Sequence, residues 1–296
     1  MRFGALAVGA VSGVARRWLH TATQAQASVP ARALYTGTGW GHALCAEKLM
    51  GSGSELWIVS AGFGLVAGDE KLPSYAATFA SGENRVADKL ASFRSSTRAH
   101  TAWWAGVNAA RGRTETPLQN TFNCYDRVVV ALSAPYLAAL CADLELLART
   151  LGPDKLWLVA VGAELPKLAP ELNECVVPLT SKMERLIPSP RATLNLQVLT
   201  WWLSEVVPIA GWSRPEQSRE IQKRLSVLQP RENRIKRSFS DSEVVLCIEE
   251  QRRAAGGVRP RGGRTRMLRT LREGGMACEQ NRFSRLYEEV AARSGA

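Results

Sequence analysis

The sequence predicts an α/β protein. The expected architecture is a Rossmann-like domain with a largely parallel sheet covered by helices on both faces, followed by a small helical module of helix-turn-helix outline. Three observations carry that expectation. Short apolar runs at residues 56–59, 128–132 and 156–161 alternate with helical patterns, as parallel strands joined by crossover helices do. Two of these runs empty into small-residue turns, Ser60-Ala61-Gly62-Phe63-Gly64 and Ser133-Ala134-Pro135. Open α/β sheets bind ligands at such strand ends. From Arg214 onward the chain carries 19 Lys/Arg against 11 Asp/Glu, which marks a region of different character. The expected divisions are an α/β domain over 1–212, a basic linker over 213–239 and a helical module over 240–296.

Each element has its own warrant. Residues 5–14 form the first strand candidate, with Ser12 and Arg16 where a phosphate could be met. The first 46 residues contain Arg2, Arg16, Arg17 and Arg32 and no acid. An organellar presequence has that composition, so a strand in a cytoplasmic protein and a targeting segment both stay open. Residues 36–41, TGTGWG, are glycine-rich but lack the Gly-Lys-Ser/Thr ending of a P-loop. They read as a flexible entry to a helix over 42–50. Val86, Leu90 and Phe93 predict a helix over 83–110, with Trp103 and Trp104 in the core. A polar loop follows over 111–123. Pro135 suits the first turn of a helix, whose apolar face is Leu137, Leu140, Leu144 and Leu147. A Pro-rich irregular stretch spans 165–190. A helix over 192–207 follows, with Asn195 off its buried side and turned toward the site.

In the basic region, helices are expected over 216–228, 241–255, 264–272 and 277–292, with Gly274-Gly275 as the turn between the last two. Arg264, Arg266, Arg269 and Arg272 supply a cationic ridge for phosphates. Gln280, Asn281 and Arg282 open the last helix, where a helix-turn-helix reads base edges.

Composition narrows the function classes. The net charge of +11 points to an acidic partner, most simply nucleic acid. Six scattered cysteines with no CxxC pair argue against zinc and against a disulfide framework. Three histidines make no metal-type spacing, and neither a metal nor a cofactor is expected. No run of 18 apolar residues suggests a membrane span. Asp69, just beyond the small-residue turn, is the one candidate catalytic acid. Gly64 is expected to let the backbone approach a ligand closely. With Ser60, Gly62, Phe63, Tyr75, Ser133 and Asn195 it makes the expected ligand site.

Ser60-Ala61-Gly62-Phe63-Gly64-Leu65, then Asp69, then Leu72-Pro73-Ser74-Tyr75, resembles the strand-turn of uncharacterised bacterial and phage proteins reading S-A-K-Y-G-L, D, I-x-x-Y. Pro30-Ala31-Arg32-Ala33-Leu34-Tyr35 resembles the P-A-R-x-L-Y of the same family, and Thr193-Leu194-Asn195 stands where it often has S-L-N. More distantly the chain is similar to the YaaA peroxide-stress family and to domains that accompany tRNA transglycosylases. Gly62 stands where Lys is frequent, Phe63 replaces Tyr, and Gly13 stands where Cys is frequent. The resemblance implies DNA protection or modification. The expected function is therefore a nucleic-acid-associated protein of a modification, protection or phage-defence system. It would bind a nucleotide or nucleobase at the turn, and DNA rather than RNA through its basic C-terminus. An enzyme acting on a base or glycosidic bond, and a non-catalytic interaction subunit with protein partners, are the alternatives.

Overall fold

The computed structural model describes residues 1–25, 27–160, 168–179, 183–187, 193–227, 237–254, 263–273 and 276–293. The expected Gly274-Gly275 turn and the end of the 156–161 strand lie outside the described residues. The chain divides into two compact units, Met1–Leu228 and Gln229–Ala296.

The Rossmann-like sheet is not what the chain forms. Among the described residues the structure is mostly helical, and the strands pair only two by two. In the first unit the helices are α1 (Val11–Thr23), α2 (Ala31–Leu34), α3 (Thr38–Met50), α4 (Ser96–Ala110), α5 (Pro117–Phe122), α6 (Ala134–Lys155), α7 (Pro170–Glu174), α8 (Met183–Leu186), α9 (Leu194–Trp201), α10 (Val207–Ala210) and α11 (Arg214–Ser226). The strands are β1 (Ser28–Pro30), β2 (Trp57–Ser60), β3 (Gly64–Ala67), β4 (Lys71–Pro73), β5 (Val128–Ala131) and β6 (Leu156–Val159). β5 and β6 pair in parallel, in the register Val128 to Leu156 through Ala131 to Val159. β2 and β3 are an antiparallel hairpin, with Ser60 opposite Gly64 and Trp57 opposite Ala67. β1 and β4 are a second antiparallel pair.

Three local signals explain the difference. A run closed by three residues and then a glycine is also hairpin chemistry, and Gly64 takes the left-handed φ of +67° that this turn needs. The strand expected over 5–14 does not form: Ala5 ends a short 3-10 turn, residues 6–10 are irregular, and Val11 opens α1, whose Val14, Ala15 and Trp18 share one buried face. Helix α4 starts thirteen residues later than expected, after the 3-10 turn Val86–Lys89.

One hydrophobic cluster joins α1, the β2–β3 hairpin, α4 and α6 around Phe3, Trp18, Trp103 and Trp104, all essentially buried. Burying one such side chain contributes about 2–3 kcal/mol. A second cluster surrounds Trp157 and Trp202, between β6, α9 and α11. Arg214 explains why α11 belongs to this unit and not to a linker. Its guanidinium lies 3.9 Å from the centroid of Trp157 and donates to the carbonyls of Pro153, Leu156, Cys175 and Val176.

The second unit has α12 (Asp241–Ala254), α13 (Gly263–Glu273) and α14 (Gln280–Arg293), with a short parallel pairing of β7 (Arg237–Ser238) and β8 (Met276–Ala277). Its own core contains Val244, Ile248, Met267, Leu268, Leu271, Phe283, Leu286, Tyr287 and Val290. Ser240 caps α12 reciprocally with Glu243: the Glu243 N–H donates to Ser240 Oγ at 3.3 Å, and the Ser240 N–H donates to the Glu243 carboxylate at 2.8 Å. No helix among the described residues is long and apolar enough to cross a membrane.

Candidate functional site

The turn after β2 is where the first unit concentrates its polar contacts. Ser60 Oγ accepts the N–H of Gly62 at 3.1 Å and of Phe63 at 2.9 Å. The turn carbonyls are taken as well. Trp18 Nε1 donates to Gly62 O at 2.7 Å and Trp103 Nε1 to Ala61 O at 2.6 Å. Arg111 donates to Phe63 O and, at 3.0 Å, to Leu65 O. It also pairs with Glu70, which Arg113 reaches at 3.3 Å. Burial pulls the Arg111 guanidinium below its ordinary pKa, and Glu70 opposes that pull.

Ser60, Gly62, Phe63 and Gly64 are thus buried scaffold, not an open cradle. Gly64 approaches protein, not ligand: an added Cβ would fall 2.6 Å from the Asn108 amide carbon and nitrogen. Gly62 has its own reason. A Cβ there would meet the Tyr75 ring at 2.6 Å, so a longer side chain has no room beside this tyrosine.

What the turn does present is a chain of hydroxyls. Ser60 Oγ lies 2.5 Å from Tyr75 Oη, which in turn bonds Tyr35 Oη. Tyr35 follows α2 and Tyr75 follows β4, so the contact joins residues forty apart in the chain. Burial raises the pKa of both phenols, against the lowering effect of Ser60 on each; each phenol's effect on the other differs in sign. Tyr136, in the first turn of α6, is also raised by burial and feels Tyr35.

The other expected residues lie elsewhere. Asp69 is exposed in the turn that follows β3, at the far end of the hairpin from Ser60. Four residues of strand separate them, roughly 10–13 Å, so Asp69 does not join the hydroxyls. Ser133 precedes α6 without capping it. Asn195 is buried, and its Nδ2 donates to Leu132 O at 2.7 Å, so it secures the end of β5. Ser12 and Arg16 line a separate cavity of about 650 Å³ beside the small residues Ala102, Ala105, Gly106 and Ala109 of α4.

In the second unit, a cavity of about 450 Å³ is lined by Arg264, Thr265, Leu268, Arg269 and Arg272 of α13 and by Gln280 and Ser284 of α14. Four of the seven expected nucleic-acid residues therefore share one groove. Arg266 does not: at 3.6 residues per turn it points away from the Leu268 side. Asn281 is exposed outside the lining. Arg282 corrects the expectation of a base reader. Its Nε donates to Asp241 Oδ1 at 2.6 Å and its Nη2 to Phe239 O at 2.7 Å, which ties α14 to the start of α12. Arg272 has a second task, donating to Cys278 O at 3.0 Å. Arg264 is drawn toward Glu288 at 3.4 Å. Sequence reasoning missed Asn108, Arg111 and Tyr136, whose roles arise only from contacts distant in sequence. No metal-type cluster of His, Cys, Asp or Glu occurs among the described residues.

No family model, no curated protein and no solved structure matches this chain.

Proposed function

We propose that this chain is a nucleic-acid-associated protein of a modification, protection or defence system. The second unit would hold the phosphate backbone, and the first would accept a nucleotide or nucleobase near Tyr35. The observation that carries the reading is the arginine groove between α13 and α14. Arg264, Arg269 and Arg272 line it together with the neutral Gln280 and Ser284. Arginine suits phosphate because its planar fork makes two parallel bonds. Residues 229–296 contain fourteen Arg and one Lys against nine acids, so the groove sits in a unit of net positive charge. We place this activity in the cytoplasm, where scattered thiols stay reduced.

The test is a salt titration of the full chain on one DNA duplex, one DNA single strand and one RNA duplex. Arg264→Gln with Arg269→Gln should make the log–log salt dependence on duplex DNA shallower by about 2. Arg266→Gln, outside the groove, should change it less. Gln280→Ala should alter which duplex sequences are preferred. A salt slope unchanged in the double variant refutes the groove as the phosphate site.

A further inference from the structure

We infer that the groove between α1 and α4 is a self-association surface, filled by a second copy of this chain that lays its own α4 antiparallel to the first about a two-fold axis. The assignment is independent of the nucleic-acid reading.

The floor of the groove comes from α4. Ala102, Ala105, Gly106 and Ala109 stand at i, i+3, i+4 and i+7, so they share one helix face. Trp103, Trp104 and Val107 on the opposite face are buried in the core, which turns the small residues outward. None of the four is buried. Small side chains let two helix backbones come close, where longer ones would hold them apart. Val11, Ser12 and Arg16 of α1 line the same cavity, about 650 Å³ in volume.

The two ends carry opposite charge. Val11 lies over Gly106, where an added Cβ would fall 2.4 Å from Val11 Cγ1. Trp18 lies nearer the start of α4, because Phe3 packs against both Trp18 and Trp103, with ring centroids 5.1 and 4.9 Å away. α1 therefore runs back along α4. Ser12 and Arg16 are one turn apart on one face of α1, so Arg16 stands toward the Ala102 end. Glu115 follows the end of α4 at Ala110 and stands at the other end. Among the described residues neither Arg16 nor Glu115 has an ion-pair partner.

This polarity selects the occupant. A two-fold axis near Ala105 and Gly106 brings Arg16 of one copy to Glu115 of the other, twice over, with the same patch meeting itself. A parallel arrangement would set like charges face to face. A nucleic-acid backbone fits poorly, because Glu115 would repel phosphate and offset Arg16. A small ligand would find no buried polar group to orient it, since Ser12, Arg16 and Glu115 are all exposed. From Ala102 to Ala109 the face spans roughly 10 Å of helix, so the interface is small and the dimer should be weak.

The experiment is sedimentation velocity of the full chain. Wild type should pass from monomer to dimer across about 1–200 μM, and less readily as salt rises. Arg16→Glu alone and Glu115→Arg alone each face like charges across the axis, and each should weaken dimerisation about ten-fold or more. An equimolar mixture of the two variants restores both opposite-charge pairs, and should return to within about three-fold of wild type. Both side chains are exposed and unpaired, so the variants should keep the wild-type circular dichroism. The wild-type concentration and salt series decides the matter without any variant. A wild type that stays monomeric, a dimer indifferent to salt, single variants that dimerise as wild type does, or a mixture no better than its components would each overturn the inference.

Discussion

Replacing Gly64 with Ala should damage the fold of the first unit, by an amount the structure allows to be worked out. Gly64 holds φ at +67°, a left-handed conformation that costs a residue with a Cβ about 1–2 kcal/mol. The new Cβ would also fall 2.6 Å from Asn108 Cγ and Nδ2, too close for any real contact. Asn108 is fully buried and is held on both sides. Its Oδ1 accepts Leu65 N–H at 2.9 Å and its Nδ2 donates to Trp104 O at 2.8 Å. Displacing it strands the Leu65 N–H, a further cost of about 1–3 kcal/mol. The expected loss is about 2–5 kcal/mol, a large part of a typical stability of about 5–15. Gly112→Ala is the control. Its φ is +74°, but a Cβ there meets nothing within 4 Å, so only the backbone cost of about 1–2 kcal/mol applies. Urea unfolding followed by tryptophan fluorescence measures both. Gly64→Ala with Asn108→Ala should be less than additive, because truncated Asn108 leaves room. A Gly64→Ala loss within about 0.5 kcal/mol of Gly112→Ala, or strict additivity in the double variant, would refute the packing role.

Two further outcomes are expected. His100 is buried with an unpaired Nε2. Burial first, and Arg85 second, lower its pKa from 6.5 to about 4, with Asp88 opposing. A depressed folded value means its contribution is fully present above pH 6.5 and is lost as pH falls toward 4, by up to about 3 kcal/mol; denaturation at stepped pH should show His100→Leu losing less across that window. Arg282→Ala should lower the melting temperature of the second unit and leave duplex sequence preference unchanged. A base reader would do the opposite.

The sequence by itself determined which segments carry apolar faces. Leu137, Leu140, Leu144 and Leu147 line the buried side of α6, and Phe283, Leu286, Tyr287 and Val290 that of α14, because helical spacing is written in consecutive residues. It also showed that charge accumulates after Arg214 and that Ser60 to Gly64 is a turn of consequence. Tertiary structure alone decided how strands pair. The β2 run reads the same before a hairpin as before a crossover helix, since an apolar tetrapeptide has no periodicity that distinguishes them. The turn was legible as a site of close approach, but not what approaches. Asn108, Trp18, Trp103 and Arg111 reach it from 42 to 48 residues away in the chain, and no local pattern encodes such a meeting. The same holds for Arg282, whose neighbours in sequence suit a base reader and whose neighbours in space, Asp241 and Phe239, make it a brace. A side chain's chemistry is fixed by its type, but its role depends on which partners the packed chain brings within hydrogen-bonding reach.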